Sequence, residues 1–535
     1  FMLYDTYGFP LDLTQVMAEE RGMSVDVQRF NELMEQQREQ SRAATGSADA
    51  RQALVELVQQ ETLPATAFLG YNETFTAEVN SPVKLYRRTE QGGYSAADEL
   101  PIGAHGAVVV EQTPFYAEAG GQVGDQGVIE VDGARFRVED TLKFADTTFH
   151  LGHVEGSTLR AADSANVSLR VDEGRRRKIM ANHTSTHILN RALRVKVNPE
   201  ADQKGSLVDD QKLRFDFSQR SALSTEQIGE VESMVSEDIA ADLPVHAADA
   251  PQRDALRING LRAVFGEKYP DPVRVVAIGP PMEELLADPE NEQWKQYSVE
   301  FCGGTHLART GQAEAFAIVS EEAVAKGVRR VTALTGEAAR DARHQGEALL
   351  QRLEALRNQK HDDADRLRSE INELQQAISE QTLPATVRAM LNAGLSALQR
   401  TLKDLDKRRS QASAAGVVDQ ARQLADETDG ELIVARFDEA DGNALRTAVD
   451  VMRKKKPDAA LLLAGVSGEK VAIVAAVPKD KIDKGLKAGD WVKETAKVVG
   501  GGGGGKPDMA QAGGKDPSKV EEALETAREF AANKL

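Results

Sequence analysis

Apolar and polar positions change their spacing four times along the chain, and each change marks a different kind of structure. Through residue 75 the texture is helical: Leu11-Asp-Leu-Thr opens one segment, residues 27–39 and 50–60 are polar, helix-favouring runs, and Gly22 and Pro64 punctuate them. Over residues 76–170 short apolar alternations take over, separated by Gly, Asp and Asn. Gly106-Ala-Val-Val-Val110, Gly127-Val-Ile-Glu-Val131 and Phe136-Arg-Val138 are examples, with Asp132-Gly133 a tight hairpin signal. A small antiparallel β-barrel is the natural expectation. Residues 171–336 mix helical stretches with strands such as Leu213-Arg-Phe-Asp-Phe217 and Val273-Arg-Val-Val-Ala277, an α+β pattern.

Residues 337–426 are long-period and charged. Leu367, Ile371, Leu374 and Ile378 step by four, three and four, and after Pro384 the series Leu391, Leu395, Leu398, Leu402, Leu405 does the same. Two heptad seams broken by a proline predict an antiparallel helical hairpin or coiled coil, with two separate amphipathic helices packed on a domain as the alternative. Residues 427–535 alternate strand and helix, from Leu432-Ile-Val-Ala435 through a helix over 443–455 to Ala460-Leu-Leu-Leu463, Val471-Ala-Ile-Val474 and a last helix over 518–533. That is a compact α/β module, and the whole reads as an α+β multidomain chain in five parts.

A length of 535 residues fits about three to five domains. The net charge of −19 provides no global field for nucleic acid, so any RNA contact has to come from local basic clusters. Three stand out: Arg175-Arg-Arg-Lys178, Lys407-Arg-Arg409 and Arg453-Lys-Lys-Lys456. Solvated capping of helix C-termini is the competing explanation for the last two. A single cysteine argues against a secreted disulfide scaffold and fits a reducing cytoplasm. No apolar run approaches the roughly 18 residues needed to span a bilayer. The first residue is Phe1, inside an amphipathic segment, which suggests that the natural protein extends further N-terminally.

The strongest chemistry lies in two short segments, His183-Thr-Ser-Thr-His187 and Cys302-Gly-Gly-Thr-His306. Each spaces two soft or borderline donors four apart, a spacing that shares one face where the segment is helical. Three imidazoles and one thiolate make a tetrahedral zinc set, so one Zn2+ is expected at His183, His187, Cys302 and His306. Four protein donors describe a closed structural site, whereas a hydrolytic zinc keeps a position open. One ligand, His306 foremost, would have to yield, or the coordination would have to expand. A zinc peptidase is disfavoured, because its helix carries Glu after the first His and position 184 is Thr. The six-glycine run at 500–505 followed by Lys506 superficially fits a phosphate-binding loop, but Pro507 stands where Ser or Thr would hold magnesium.

These segments together resemble one family. His183-Thr-Ser-Thr-His187-Ile-Leu-Asn-Arg-Ala-Leu, Asp202-Gln-Lys-Gly-Ser206, Cys302-Gly-Gly-Thr-His306 and Gly327-Val-Arg-Arg-Val-Thr-Ala-Leu-Thr-Gly336 look like the editing domain of alanyl-tRNA synthetases. Leu3-Tyr-Asp-Thr-Tyr-Gly-Phe-Pro10, Phe115-Tyr-Ala-Glu-Ala-Gly-Gly-Gln-Val-Gly-Asp125 and the glycine run with Lys-Pro-Asp-Met-Ala-Gln-Ala-Gly-Gly514 extend the likeness over almost the whole chain. The resemblance implies hydrolysis of serine or glycine wrongly esterified to tRNA(Ala), the substrate's amino group being held at the zinc while a water is aimed at the ester carbonyl. Thr186 would bond that water or the ribose, its alternative being a helix hydroxyl bonded to its own backbone. Gln203 would line the pocket or, alternatively, be a loop amide in water. Glu118, Gln122 and Gly303 would contact the substrate. Gly120-Gly121-Gln122 also invites comparison with a peptide-release loop, but it lies between strands, and its glycines alone fit a bulged hairpin.

The resemblance further implies that Arg453, Lys454, Lys455, Lys456 and Lys506 meet tRNA, and that the glycine run approaches RNA or a second subunit, a flexible linker being the alternative. It also implies a homodimer through the C-terminal region, and an aminoacylation module using ATP and Mg2+ N-terminal to Phe1. A non-catalytic tRNA-binding module with a structural zinc is the rival.

Overall fold

A computed structural model describes residues 25, 29–30, 47–61, 63–71, 74–264 and 269–535. The expected helical segments near Leu11 and over 27–39, and the motif at 3–10, therefore fall outside or almost outside the described residues. Contacts divide the chain into two units, one reaching through Arg352 plus Ala377–Leu391, the other Leu353–Gln376 plus Asn392–Leu535.

In the first unit, six strands close a barrel: β1 (Thr76–Arg88), β3 (His105–Val109), β4 (Gly127–Val131), β5 (Ala134–Phe144), β6 (Thr147–Glu155) and β7 (Ala162–Val171). Their order is β7-β4-β5-β6-β3-β1 with β1 pairing back to β7, and β2 (Tyr94–Ala97) flanks β1. Alternation decides which side chains fill it. Val108, Val110, Ile129, Val131, Phe136 and Val138 point inward. Ala107, Val109, Phe149 and Leu151 point outward under Leu54 and Leu57 of α1 (Ser47–Gln60). Asp132 (φ 48°) and Gly133 (φ 80°) make the β4–β5 hairpin turn.

His150 is fully buried in this barrel, its Nδ1 2.9 Å from the Val108 carbonyl and its Nε2 2.8 Å from Thr113 Oγ1. Burial pushes its ring down to about 4. The unfolded chain takes up that proton near pH 6.5, so His150 favours folding above that pH, and the advantage is lost as pH falls towards 4. Between pH 7 and 5 the loss should be about 2 kcal/mol. Urea unfolding of wild type and His150→Gln, compared across that interval, checks it through the difference between their pH slopes.

The second half of this unit packs α2 (Glu173–Lys196) and α3 (Thr225–Ala240) on a four-stranded antiparallel sheet. Its strands are β8 (Gln203–Val208), β9 (Leu213–Ser218), β13 (Phe316–Ala325) and β14 (Val328–Thr335), ordered β8-β9-β14-β13. A smaller sheet runs β10 (Val245–Ala250), β11 (Val273–Ile278), β12 (Ser298–Phe301).

Helices α4 (Gly336–Asn358), α5 (Ala364–Glu380) and α6 (Ala385–Glu427) follow. In the second unit Arg368 meets Asp406 at 3.0 Å and Asp365 meets Arg409 at 3.0 Å, so these parts of α5 and α6 run antiparallel. Lys407-Arg-Arg409 lies mid-helix in α6, which corrects the helix-capping explanation offered for it.

The C-terminal sheet is ordered β15 (Leu432–Asp438), β16 (Ala460–Ser467), β17 (Lys470–Ala476), β19 (Met509–Gly514), β18 (Gly502–Gly505). Ala460, Leu462 and Ala464 face α8 (Ala488–Val498) and α9 (Val520–Ala532), whereas Leu461 and Leu463 face α7 (Gly442–Lys455) and Ala421 of α6. The glycine run is therefore neither linker nor loop: four of its residues are an exposed edge strand paired antiparallel with β19.

Candidate metal centre

Asp172 caps α2, its carboxylate accepting from the Arg175 amide at 3.0 Å, and the helix carries His183 and His187 inward at 5 % and 4 % exposure. The other two donors come from the loop after β12, where no helix forms. That loop is shaped from outside: Arg274 Nη1 donates to the carbonyls of Cys302 (2.8 Å) and Gly304 (2.9 Å). Its guanidinium lies 4.0 Å from the centre of the Tyr71 ring, and Tyr71 donates its hydroxyl to the Gly303 carbonyl at 2.9 Å. A side chain at Gly304 would put Cβ 2.1 Å from His183 Cε1, so only glycine lets the loop come this close.

One donor atom from each of His183, His187, Cys302 and His306 lies within 4.8 Å of the others. Cys302 Sγ is 3.4 Å from His183 Nε2 and 3.3 Å from His306 Nε2. Bond lengths of about 2.3 Å to sulfur and 2.0–2.1 Å to nitrogen give a tetrahedral S–N edge of about 3.5 Å. The donor set thus fits zinc in both chemistry and spacing.

The nitrogens facing away from that centre are also engaged. Gln122 Oε1 accepts from the Thr305 amide at 2.9 Å, which fixes the carboxamide and makes His183 Nδ1, 2.8 Å away, the donor. The His183 lone pair is then Nε2, aimed at Cys302. Thr184 Oγ1 accepts from the Leu307 amide at 3.1 Å and lies 3.3 Å from His306 Nδ1. His187 Nδ1 has no hydrogen-bond partner among the described residues, but the Glu300 carboxylate stands 3.7 Å from it, held by Asn190 (2.9 Å). Burial raises Glu300 to about 7 against the pull of Arg194 and its hydrogen bonds.

Burial also pushes Cys302 up to about 11, takes His187 down to about 3 and drives His183 and His306 well below the usual imidazole range. The imidazoles are therefore neutral and ready to coordinate, while the thiol keeps its proton until a cation displaces it. Replacing Glu300 by glutamine should weaken zinc affinity about 10- to 100-fold by loosening His187. Chelator competition checks this, and an unchanged affinity would show that His187 needs no partner.

The remaining candidates divide. Gln122 is fully buried and its amide also donates to Thr305 Oγ1 at 2.9 Å, so it holds the site together rather than presenting a free tip. Thr186 donates its hydroxyl to Asn182 O at 2.8 Å, the backbone bond foreseen as its alternative, and retains only acceptor capacity. Gln203 Nε2 reaches Ser206 Oγ at 3.3 Å. Ser206 in turn packs on Gly121, where φ is +83° and a Cβ would meet Ser206 Oγ at 2.3 Å. Glu118 pairs with Arg51 at the surface. Gly303 is exposed, with nothing within 4 Å of a Cβ built on it.

The basic run at the start of α2 is not a free patch, which corrects that expectation. Arg176 is buried against Asp125, Arg175 lies 3.2 Å from Asp210 and Arg177 2.8 Å from Glu173. In the second unit Arg453, Lys454 and Lys455 occupy the last turn of α7, Lys456 is its C-cap, and Lys455 binds Asp426 at 2.6 Å. Lys506 is exposed in the turn joining β18 and β19, its amide donating to Met509 O at 2.9 Å.

Comparison with known proteins agrees with this architecture. Residues 1–175 match tRNA synthetases class II (A), residues 273–332 the threonyl and alanyl tRNA synthetase second additional domain, and residues 429–533 the DHHA1 domain. Over 100 % of the chain it is 36 % identical to cytoplasmic alanine–tRNA ligase of Drosophila melanogaster, covering 57 % of that protein. Over 98 % of the chain it is 39 % identical to alanine–tRNA ligase of Acetivibrio thermocellus, covering 54 % of it. The chain belongs to the alanyl-tRNA synthetase family. It spans about half the length of the curated relatives it matches, as with the Halorhodospira halophila alanine–tRNA ligase, 39 % identical and covered to 55 %. The C-Ala domain of Aquifex aeolicus alanyl-tRNA synthetase is a solved structure 34 % identical over 19 % of this chain, 90 % of that domain, with a TM-score of 0.18.

Proposed function

We propose that this chain hydrolyses the aminoacyl ester of tRNA(Ala) mischarged with serine or glycine, at the centre formed by His183, His187, Cys302 and His306. The observation that carries the reading is the convergence of two loop donors and two helix donors on one point within 4.8 Å, in a family that handles aminoacyl-tRNA. Zinc bound there would supply Lewis-acid polarisation. The protein's part is positional. Gln122 sets the tautomer of His183, Thr184 stands beside His306, Glu300 backs His187, and Arg274 and Tyr71 fix the loop. Thr186 Oγ1, its proton given to Asn182, accepts a hydrogen bond from a substrate ammonium, hydroxyl or water. The open flank at Gly303 is where the esterified adenosine would enter, Gln203 and Glu118 being further residues that would contact it.

On this reading tRNA(Ala) also meets Arg453, Lys454, Lys455, Lys456 and Lys506, and the chain forms homodimers through its C-terminal region, the helices at 337–426 serving as a coiled coil. Ligation of alanine with ATP and Mg2+ belongs to the whole cytoplasmic enzyme. No helix among the described residues is long and apolar enough to cross a membrane.

A second reading, a tRNA-binding module with a purely structural zinc, is favoured by the full set of four donors. Incubating the chain with Ser-tRNA(Ala) and Ala-tRNA(Ala), with and without a chelator, separates the two. Chelator-sensitive loss of serine with alanine spared supports editing. Stability of both esters supports the structural zinc.

A further inference from the structure

On the outer face of the barrel, three neighbouring strands each bring one metal-competent side chain to a common point. His105 on β3 and His153 on β6 are direct cross-strand partners, their ring centres 5.4 Å apart. Glu139 on β5 falls in the register break between Val138 and Asp140, where one extra residue re-aims the side chain towards β6. Its carboxylate lies 2.9 Å from His153 Nδ1 and 4.0 Å from His105 Nδ1. One donor atom from each of the three sits within 4.8 Å of the other two. Glu155 stands behind, 3.7 Å from His153 Nε2.

The cluster offers two imidazole nitrogens and one carboxylate oxygen, the borderline set taken by zinc and by copper(II) or nickel(II). Its donors stand on hydrogen-bonded strands, so little backbone ordering is needed to close them on an ion. Exposures of 57 %, 51 % and 30 % for His105, Glu139 and His153 leave room for water on the ion's remaining positions.

We propose that His105, Glu139 and His153 form a second divalent-metal site, of the two-histidine, one-carboxylate kind, clipping β3, β5 and β6 together. With three donors and an open face it binds zinc more weakly than the His3Cys centre and fills after it.

Zinc titration of the metal-free full chain by calorimetry, with bound metal counted after dialysis at intermediate zinc, tests this. Wild type should take two zinc ions in separate phases. His105→Ala, His153→Ala and Glu139→Gln should each weaken the second phase at least tenfold and leave the first. Cys302→Ser should do the reverse. His344→Ala, at an exposed histidine on α4 outside both groups, should change neither. A single zinc in wild type would overturn the proposal, as would a second phase insensitive to the three substitutions or one weakened equally by His344→Ala.

Discussion

Replacing Cys302 by alanine is expected to lower deacylation of Ser-tRNA(Ala) by a thousandfold or more and to remove the tightly bound zinc, while far-UV circular dichroism stays that of wild type. The sulfur is the only donor of the four that can carry a negative charge, and it touches two of the other three. Without it, three neutral imidazoles remain in a site that already resists cations, because burial and Arg274 hold His183 and His187 far below their usual range. The same chemistry sets a proton count. At pH 8 the Cys302 thiol, raised to about 11, is still protonated, and Glu300, raised to about 7, is largely ionised. Zinc binding should then release close to one proton in wild type and none in the variant. Affinity should climb about tenfold per pH unit between pH 8 and 10. Retained deacylation in a zinc-free variant would end the metal-centred reading.

Arg176→Met should be the most damaging single substitution for stability. The Arg176 and Asp125 side chains are 0 % and 1 % exposed, Arg176 also donates to the carbonyls of Gly70 (3.0 Å) and Pro114 (2.8 Å), and Asp125 accepts from the Tyr116 amide at 2.6 Å. Removing the guanidinium strands a buried carboxylate and two carbonyls, a loss of about 3–5 kcal/mol. For a unit of this size that corresponds to roughly 5 °C in the unfolding midpoint. The double variant Arg176→Met with Asp125→Leu should recover part of it, because no unpaired charge is then left inside. A single variant as stable as wild type would mean that water reaches the carboxylate.

That these four side chains cluster was legible because chemistry constrains them locally: two pairs at matching spacing, one holding the only cysteine, need no knowledge of the fold. The barrel alternation and the strand at 460–463 were legible for a similar reason, since each is a short-range pattern with one physical cause. What holds the donors was not. Glu300 lies two residues before Cys302, but its role depends on Asn190 and His187, 110 and 113 positions away. Arg274 and Tyr71 are an ordinary strand arginine and loop tyrosine until the fold stacks them.

Composition misled in two places. A run of four basic residues reads as a surface patch open to RNA, but the helix turns Arg176 inward onto Asp125. A run of glycines admits a flexible linker as the alternative, but strand β18 needs only backbone to pair with β19.

Gln122 belongs by sequence to the segment between barrel strands, yet its carboxamide is bonded to His183 and Thr305. Cutting the chain at 170/171, the border that hydrophobic spacing suggests, would therefore yield a fragment with all four donors of the His3Cys group but without the amide that sets the tautomer of the first. Such a dissected piece should need more zinc to saturate than the intact polypeptide, so trimming for crystallisation or engineering has to begin upstream of the Gly120-Gly121 turn.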